Sequence, residues 1–503
     1  MSDPTQGGSA GGSDPAAAVT SEKPQGNKSA PSARSVAARV VERVLRDGAY
    51  ASAALDAELS RAQQLSARDR ALATELVYGS LRARVYLEQR LSRLAKKLDA
   101  KDYVLRAQLL LAAYQLLMLD RVPAHAVVDH AVEAIKRARG PRVGGFVNAV
   151  LRKLAAEPQV NATEAALASL PEWLRPQLAS TLGEAELHAF VHVGGARAGG
   201  GGGESPAAPP EAASAQAVEG LSAAADEPIG ATGIRLRVGL DAAQVPEWLR
   251  AYPSGNWSRL ARRVGSVGDP RRLEGFADGR FVIQEEGAQV IALALGARPG
   301  ERVLDACAGR GQKTTLLADL MRGGAAPTSA QHWTGDPASS ALWACDLHPN
   351  KLRGLAQELA RLGLPPAELQ SVDWEQGVGE VPCGFDRVLV DAPCTGVGTL
   401  RRRPEIALRL TPEDPERMAR LQASILRNAG SRLRPGGVLV YAVCSVLEAE
   451  CEGVLRRVAD VLTPRDFDTE DLPWLEAGCQ ALRLLPGRHQ TDGYFLACLT
   501  RRS

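Results

Sequence analysis

From Ser35 to about Leu154 the apolar positions return every three or four residues. Val40, Val41, Val44 and Leu45 set the pattern, Leu72, Leu76 and Val77 repeat it, and Leu87, Leu91 and Leu94 continue it. That spacing puts side chains on one face of an α-helix. Ser66 and Asp69 read as a capping box ahead of Leu72, and Gly48, Gly79 and Gly140 read as turns or helix ends. Strand signals are nearly absent, so the pattern predicts an all-α domain of roughly 120 residues, within the usual domain range.

Beyond Phe281 the rhythm changes. Short apolar runs at Arg302–Leu304, Leu342–Ala344, Arg387–Val390 and Val438–Val443 alternate with helical stretches, the βαβ order of a doubly wound parallel sheet. The runs are too short and too β-branched for helices, and they predict strands buried on both faces. Between the two regions Ile234-Arg235-Leu236-Arg237-Val238 alternates apolar and basic residues. This predicts a half-exposed strand with its arginines in solvent, opening a connecting region that runs to about Arg280.

Low-complexity stretches divide the chain. Residues 1–34 and 191–229, rich in Gly, Ala, Pro and Ser, cannot bury enough apolar surface to order themselves. They predict a tail and a linker, and Gly323 to Ser340 a surface loop. The expected architecture is multidomain: an all-α region over 35–190, a small α+β connecting region over 230–280, and an α/β Rossmann-like domain over 281–503.

Composition adds limits. A chain of 503 residues with 45% hydrophobic and 23% charged residues is ordinary for a globular protein. A net charge of +2 neither demands nor excludes nucleic acid, so local clusters decide. Two stand out: Lys136, Arg137, Arg139 and Arg142, beside an apparent glycine turn at Gly144-Gly145, and Arg401-Arg402-Arg403 after Gly396 and Gly398. Each alone is more often a solvated face, but phosphate contacts dominate affinity for nucleic acid. The longest apolar stretch, Leu109 to Leu119, is broken by Tyr114 and Gln115 and falls short of the roughly 20 residues that span a bilayer. All eight cysteines lie between Cys307 and Cys498 without Cys-x-x-Cys or histidine spacing. That argues against a metal site and a secreted disulfide framework, and for a reducing cytoplasm.

Candidate chemistry gathers at the ends of the predicted strands, where open α/β sheets bind ligands. Cys307-Ala308-Gly309-Arg310-Gly311-Gln312-Lys313 follows the first strand as a glycine turn that leads into a helix and points amides at a ligand. Asp346 ends the next strand, where a ribose is held, and Asp373 stands where a third strand ends. Each acid alone is more often a solvated strand-end carboxylate; their order along the chain is the stronger signal. Two thiols follow the last two strands: Cys394, in Asp391-Ala392-Pro393-Cys394, and Cys444, in Val443-Cys444-Ser445. Buried free cysteine usually only packs, the reading given to Cys345, Cys383, Cys451, Cys479 and Cys498. Cys394 and Cys444 instead sit beside turn-forming residues and suggest covalent chemistry.

The set Asp305-to-Thr314, Asp346, Asp373, Asp391-to-Cys394 and Val443-to-Ser445 resembles RNA 5-methylcytosine methyltransferases. Asp69-Arg-Ala-Leu72, Glu75-to-Arg82 and Phe146-to-Arg152 are similar to the NusB-like RNA-binding domain. Together they resemble the bacterial 16S rRNA cytosine-5 methyltransferase family of the RsmB or Sun type, over roughly residues 35–190 and 234–500. The resemblance implies S-adenosyl-L-methionine held by 307–313, Asp346, Asp373 and Asp391. It also implies Cys444 as nucleophile toward carbon 6 of cytosine, Cys394 helping to remove the carbon 5 proton, and Asp391 holding the base. RNA, 16S rRNA first, is the implied partner; the basic clusters, with Lys136, Arg137, Arg139, Arg401, Arg402 and Arg403, are read as its contacts, and nothing in the sequence calls for more than a monomer. Two departures stand in the motifs: Gly309-Arg310-Gly311-Gln312-Lys313-Thr314 replaces Ala-Pro-Gly-Gly-Lys-Thr, and Gln284-Glu285 replaces Gln-Asp. A tRNA methyltransferase and a non-catalytic RNA-binding assembly factor are the alternatives.

Overall fold

The computed structural model describes residues 31–96, 98–120, 122–192, 232–264, 269–323 and 342–502. The expected tail, linker and Gly323–Ser340 loop fall almost wholly outside the described residues. The N-terminal region is helical: α1 (Ala33–Asp47), α2 (Ala51–Arg61), α3 (Ala67–Arg82), α4 (Arg84–Leu94), α5 (Tyr103–Met118), α6 (Ala124–Arg139), α7 (Pro141–Leu154), α8 (Ala162–Leu167), α9 (Leu174–Leu182) and α10 (Glu184–Val191). The apolar stretch noted above is α5, packed against α1, α3, α4, α6 and α7. It has no polar face because its neighbours cover it all round.

Local signals explain several helix ends. Ser66 caps α3 by accepting the Asp69 N–H at 3.1 Å, and Gly48 closes α1 in the left-handed region at φ 62°. Three glycines depart from their sequence reading: Gly79 lies inside α3, and Gly144 and Gly145 inside α7. At Gly79 packing overrode propensity, since a Cβ there would meet the buried Tyr114 ring at 2.1 Å.

Three antiparallel strands, β1 (Thr232–Leu236), β2 (Ala261–Val264) and β3 (Phe281–Ile283), form a small sheet in the order β2-β1-β3, beside the one-turn helix α11 (Glu247–Arg250). The expectation of solvent-facing arginines on β1 is wrong. Arg235 and Arg237 are fully buried. Arg237 reaches Asp319 in a bidentate pair at 2.8 and 3.0 Å and donates to the Leu362 carbonyl at 2.6 Å. Arg235 lies 3.7 Å from the same carboxylate, and burial pushes its pKa down to about 10. The alternation signals two buried faces, one apolar and one ionic.

The large sheet runs β10-β11-β8-β7-β4-β5-β6. Its parallel part comprises β4 (Val303–Asp305), β5 (Leu342–Asp346), β6 (Glu368–Ser371), β7 (Phe385–Asp391) and β8 (Leu433–Val443). Three antiparallel strands that the apolar pattern did not signal, β9 (Leu462–Pro464), β10 (Ala481–Leu484) and β11 (Tyr494–Arg501), extend it beyond β8. Helices α12 (Glu286–Leu295), α13 (Gln312–Met321), α14 (Pro349–Arg361) and α15 (Asp414–Gly430) complete the α/β domain. Asp319 lies on α13, so the ionic cluster fastens the small sheet to that helix.

The helical region is seated on the α/β domain. Leu174, Leu178, Leu187 and Phe190 share one apolar cluster with Val397, Leu400, Val446 and Leu447, and Gly487 N–H donates to Glu186 at 2.6 Å. Full burial of such a side chain stabilises by about 1.5–3 kcal/mol, against about 1 kcal/mol net for a hydrogen bond, so apolar contact dominates this junction. No helix among the described residues is long and apolar enough to cross a membrane.

Removing Asp319 leaves two buried guanidinium groups uncompensated. Asp319→Ala is expected to cost about 3–5 kcal/mol, read as a lower denaturation midpoint. Arg259→Ala, which removes the largely exposed partner of Asp471, should change stability by less than about 1 kcal/mol.

Candidate methyl-transfer site

Strand order sets the site. β4 has β5 on one side and β7 on the other, and such a reversal of strand order opens a crevice at the carboxyl edge. Asp305 ends β4, Asp346 ends β5, Asp391 ends β7, and Cys444 follows the last residue of β8. Asp373, two residues past β6, is exposed and accepts the Glu375 N–H at 3.0 Å.

The glycine turn follows β4 directly. Gly309 and Gly311 have φ 58° and 87°, left-handed values that favour glycine. Asp346 braces the turn, accepting Gly309 N–H at 3.1 Å and His348 N–H at 2.8 Å, with Lys351 Nζ at 3.2 Å. Lys313 opens α13 and reaches across the edge to Asp391 at 2.5 Å. Burial works against the Lys313 charge, but the Asp391 carboxylate outweighs it and holds its pKa above the usual lysine value. The departures from the family motif point away from the turn: Gln312 donates to the Ile283 carbonyl at 3.1 Å, and Arg310 is exposed. Both line a cleft of about 540 Å³ with Arg271, Phe276, Lys351 and Glu358.

Asp305 is fully buried. Thr314 donates to its Oδ2 at 2.7 Å, while Oδ1 has no hydrogen-bond partner. Burial, with the neighbouring Asp391 charge, pushes its pKa up to about 7. Burial likewise pushes the Cys307 thiol up.

The two thiols meet. Cys394 Sγ and Cys444 Sγ are 3.1 Å apart, both half-buried. The hydrogen bond to Cys444, helped by burial and by the charge of Glu450, holds the Cys394 pKa well above the usual thiol value. Cys345, Cys451 and Cys498 are buried, as expected of packing residues, whereas Cys383 is exposed; it lies in the turn before β7, outside the core.

The Arg401 carbonyl accepts a hydrogen bond from Arg82 of α3 at 2.8 Å, Arg402 pairs with Asp492 at 3.3 Å, and Arg403 is exposed. In the helical region Lys136 pairs with Glu133 at 2.7 Å and Arg139 with Asp102 at 3.1 Å.

Sequence reasoning missed the polar layer beneath the thiols: Thr395, Gln422, Tyr441 and Glu450. Thr395 and Ser445, each next to a cysteine, were the only local hint.

Comparison with known proteins places this geometry. The sequence profile of the 16S rRNA methyltransferase RsmB/F family matches residues 292–500, and that of the NusB family residues 31–156. A Mycobacterium tuberculosis protein named "Putative methyltransferase Rv1407" is 35% identical over 498 residues, covering 93% of this chain and 96% of its own. The chain belongs to the RsmB/F methyltransferase family. The Bacillus subtilis "Probable ribosomal RNA small subunit methyltransferase B" is 28% identical, covering 94% of this chain and 99% of its own. The crystal structure of PH0851 shares the fold, with a TM-score of 0.69 at 21% identity over 92% of this chain and 98% of that one. The family member described here is thus an RNA methyltransferase with an N-terminal NusB domain, and its methyl donor is S-adenosyl-L-methionine.

The residues present fit that donor. The orphaned Asp305 Oδ1 offers an acceptor to an ammonium group. A Cβ at Gly309 would have no atom closer than Cys307 O at 4.0 Å, so the turn leaves open space.

Two outcomes are expected. Asp346→Ala should weaken S-adenosyl-L-methionine binding at least tenfold by calorimetry, because the turn loses its brace. Asp305, with its folded pKa above the unfolded value near 3.9, contributes stability in full below pH about 4 and loses it as pH rises through 7. Asp305→Asn removes that loss, so between pH 5 and 8 the variant should gain on wild type by on the order of 2 kcal/mol in denaturation profiles.

Proposed function

We propose that this enzyme methylates carbon 5 of a cytosine in 16S rRNA through a covalent Cys444–cytosine intermediate. The observation that carries this reading is the 3.1 Å approach of Cys394 and Cys444 at the sheet edge that also holds Asp391. One thiol would suffice for packing, whereas two in contact suit a reaction in which one adds and the other helps release.

Carbon 5 of cytosine is a weak nucleophile, and adding a thiolate to carbon 6 moves the ring electron pair onto it; covalent catalysis divides one hard step into easier ones. The hydrogen bond between the sulfurs holds the Cys394 pKa high, so Cys394 keeps its proton and can donate it toward Cys444, the sulfur that attacks. Asp391, held by Lys313 at 2.5 Å, is an acceptor for the exocyclic amino group of cytosine and fixes the ring against the thiols. S-adenosyl-L-methionine, when bound, supplies an electrophilic methyl group. Cys394 serves the exit: after giving its own proton to water it accepts the carbon 5 proton, the ring double bond reforms, and Cys444 leaves as thiolate. The base has to be unstacked, or lie in a loop, to reach this edge.

The seat of the donor is read as 307–313 with Asp346, Asp373 and Asp391, and the enzyme as a monomer. Arg401, Arg402, Arg403, Lys136, Arg137 and Arg139 are read as phosphate contacts. The surface pairs of Lys136 and Arg139 contribute about 0–1 kcal/mol each, little enough for a phosphate to compete.

Transfer of labelled methyl to unmodified small-subunit rRNA tests the reading. Cys444→Ala should reduce transfer at least a thousandfold. Cys394→Ala should methylate without release and leave a protein–RNA adduct on a denaturing gel. Full transfer by Cys444→Ala would refute the mechanism.

A further inference from the structure

Cys394 and Cys444 ride on separate loops, and a single carboxylate lies beneath both. Glu450 is fully buried. Its Oε1 accepts Thr395 N–H at 2.8 Å and Gln422 Nε2 at 3.0 Å; its Oε2 accepts Thr395 Oγ1 at 2.5 Å and Ser445 Oγ at 2.6 Å. Thr395 is the residue after Cys394, and Ser445 the residue after Cys444, so the carboxylate grips each loop one residue from its sulfur.

The surroundings reinforce the grip. Gln422 also donates to the Pro393 carbonyl at 2.9 Å, on the other side of Cys394. The Tyr441 hydroxyl donates to the Glu450 carbonyl at 2.7 Å and lies 3.1 Å from Gln422 Oε1. Gly398 N–H reaches the Cys444 carbonyl at 3.0 Å, an approach only glycine permits, since a Cβ there would meet Gly493 O at 1.9 Å and Cys444 O at 2.9 Å. An ionised carboxylate is an acceptor only, and the four donors aimed at Glu450 suit that form. Hydrogen bonds to an ionised group are roughly twice as strong as neutral ones, so this contact outranks the other links between the loops.

We propose that Glu450 is a positioning residue that sets the separation of Cys394 and Cys444, so that one proton is shared between them and both reach a single base. The proposal rests on the two-thiol reading above. Glu450 touches no reacting atom and acts through Thr395 and Ser445.

The test uses the full-length protein without RNA or donor. Diamide oxidises two adjacent thiols to a disulfide, taking up their two protons and two electrons, and peptide mapping by mass spectrometry reports the rate for Cys394–Cys444. Glu450→Gln should form this disulfide at least fivefold more slowly. It should also lower kcat for methyl transfer at least tenfold while leaving the KM for RNA within twofold. Thr395→Val and Ser445→Ala each remove one hydroxyl donor, the Thr395 N–H bond staying, and leave the charge in place, so slower oxidation in them reads position alone; they also carry the test if Glu450→Gln fails to fold. Glu448→Gln, exposed on the same turn, should match wild type. Wild-type oxidation rates in both Thr395→Val and Ser445→Ala would overturn the proposal. Slowed oxidation in an enzyme whose wild type methylates no cytosine would keep the clamp and discard the two-thiol reading of function.

Discussion

Parallel pairing of β7 with β8 is the constraint on which the site depends. Val390 lies opposite Tyr441 and Asp391 opposite Ala442, so the strands end within one residue of each other and the two cysteine loops leave the sheet together. A slip of one residue would turn every side chain to the other face, taking Val388 and Val390 from one core layer into the other. The same pairing leaves β4 between β7 and β5, which brings the glycine turn, the acids and the thiols to one edge. Nothing in the loops alone would produce that convergence.

Three buried carboxylates show how the molecule handles charge away from water. Asp319 faces Arg235, Arg237 and Arg322 and fastens the small sheet to α13. Glu450 faces four neutral donors and joins the cysteine loops. Both have their acceptor positions filled, as the cost of burying charge requires. Asp305 differs: one of its oxygens has no hydrogen-bond partner. The filled carboxylates hold the frame, and the incompletely filled one ends β4, just ahead of the glycine turn.

The helical region is part of this frame. Its last helices pack on Val397 and Leu400, just past Cys394, and on Val446 and Leu447, just past Cys444. Nearer its start, Ala51 N–H donates to Glu405 at 3.1 Å, and Arg409 reaches back to the Ala49 carbonyl at 2.7 Å and over the Tyr50 ring. The segment after Cys394 therefore serves two neighbours, the thiol edge on one side and the helical domain on the other.

Periodicity and motif order by themselves determined the helical domain, the parallel sheet and the residues at its edge. These are local properties: a repeat of 3.6, a short β-branched run, or a glycine turn leaves its mark within a few positions. Tertiary structure alone decided the rest. Arg235 and Arg237 alternate as an exposed strand would, and only the opposing Asp319, some eighty residues away, makes the ionic face an interior one. Gly79 marks a helix end by propensity, and only the Tyr114 ring explains it within a helix. Glu450 carries no local sign of its role, because its partners come from three separate segments that are brought together when β7, β8 and α15 pack. Burial and partnership depend on residues distant along the chain, and a local pattern cannot record them.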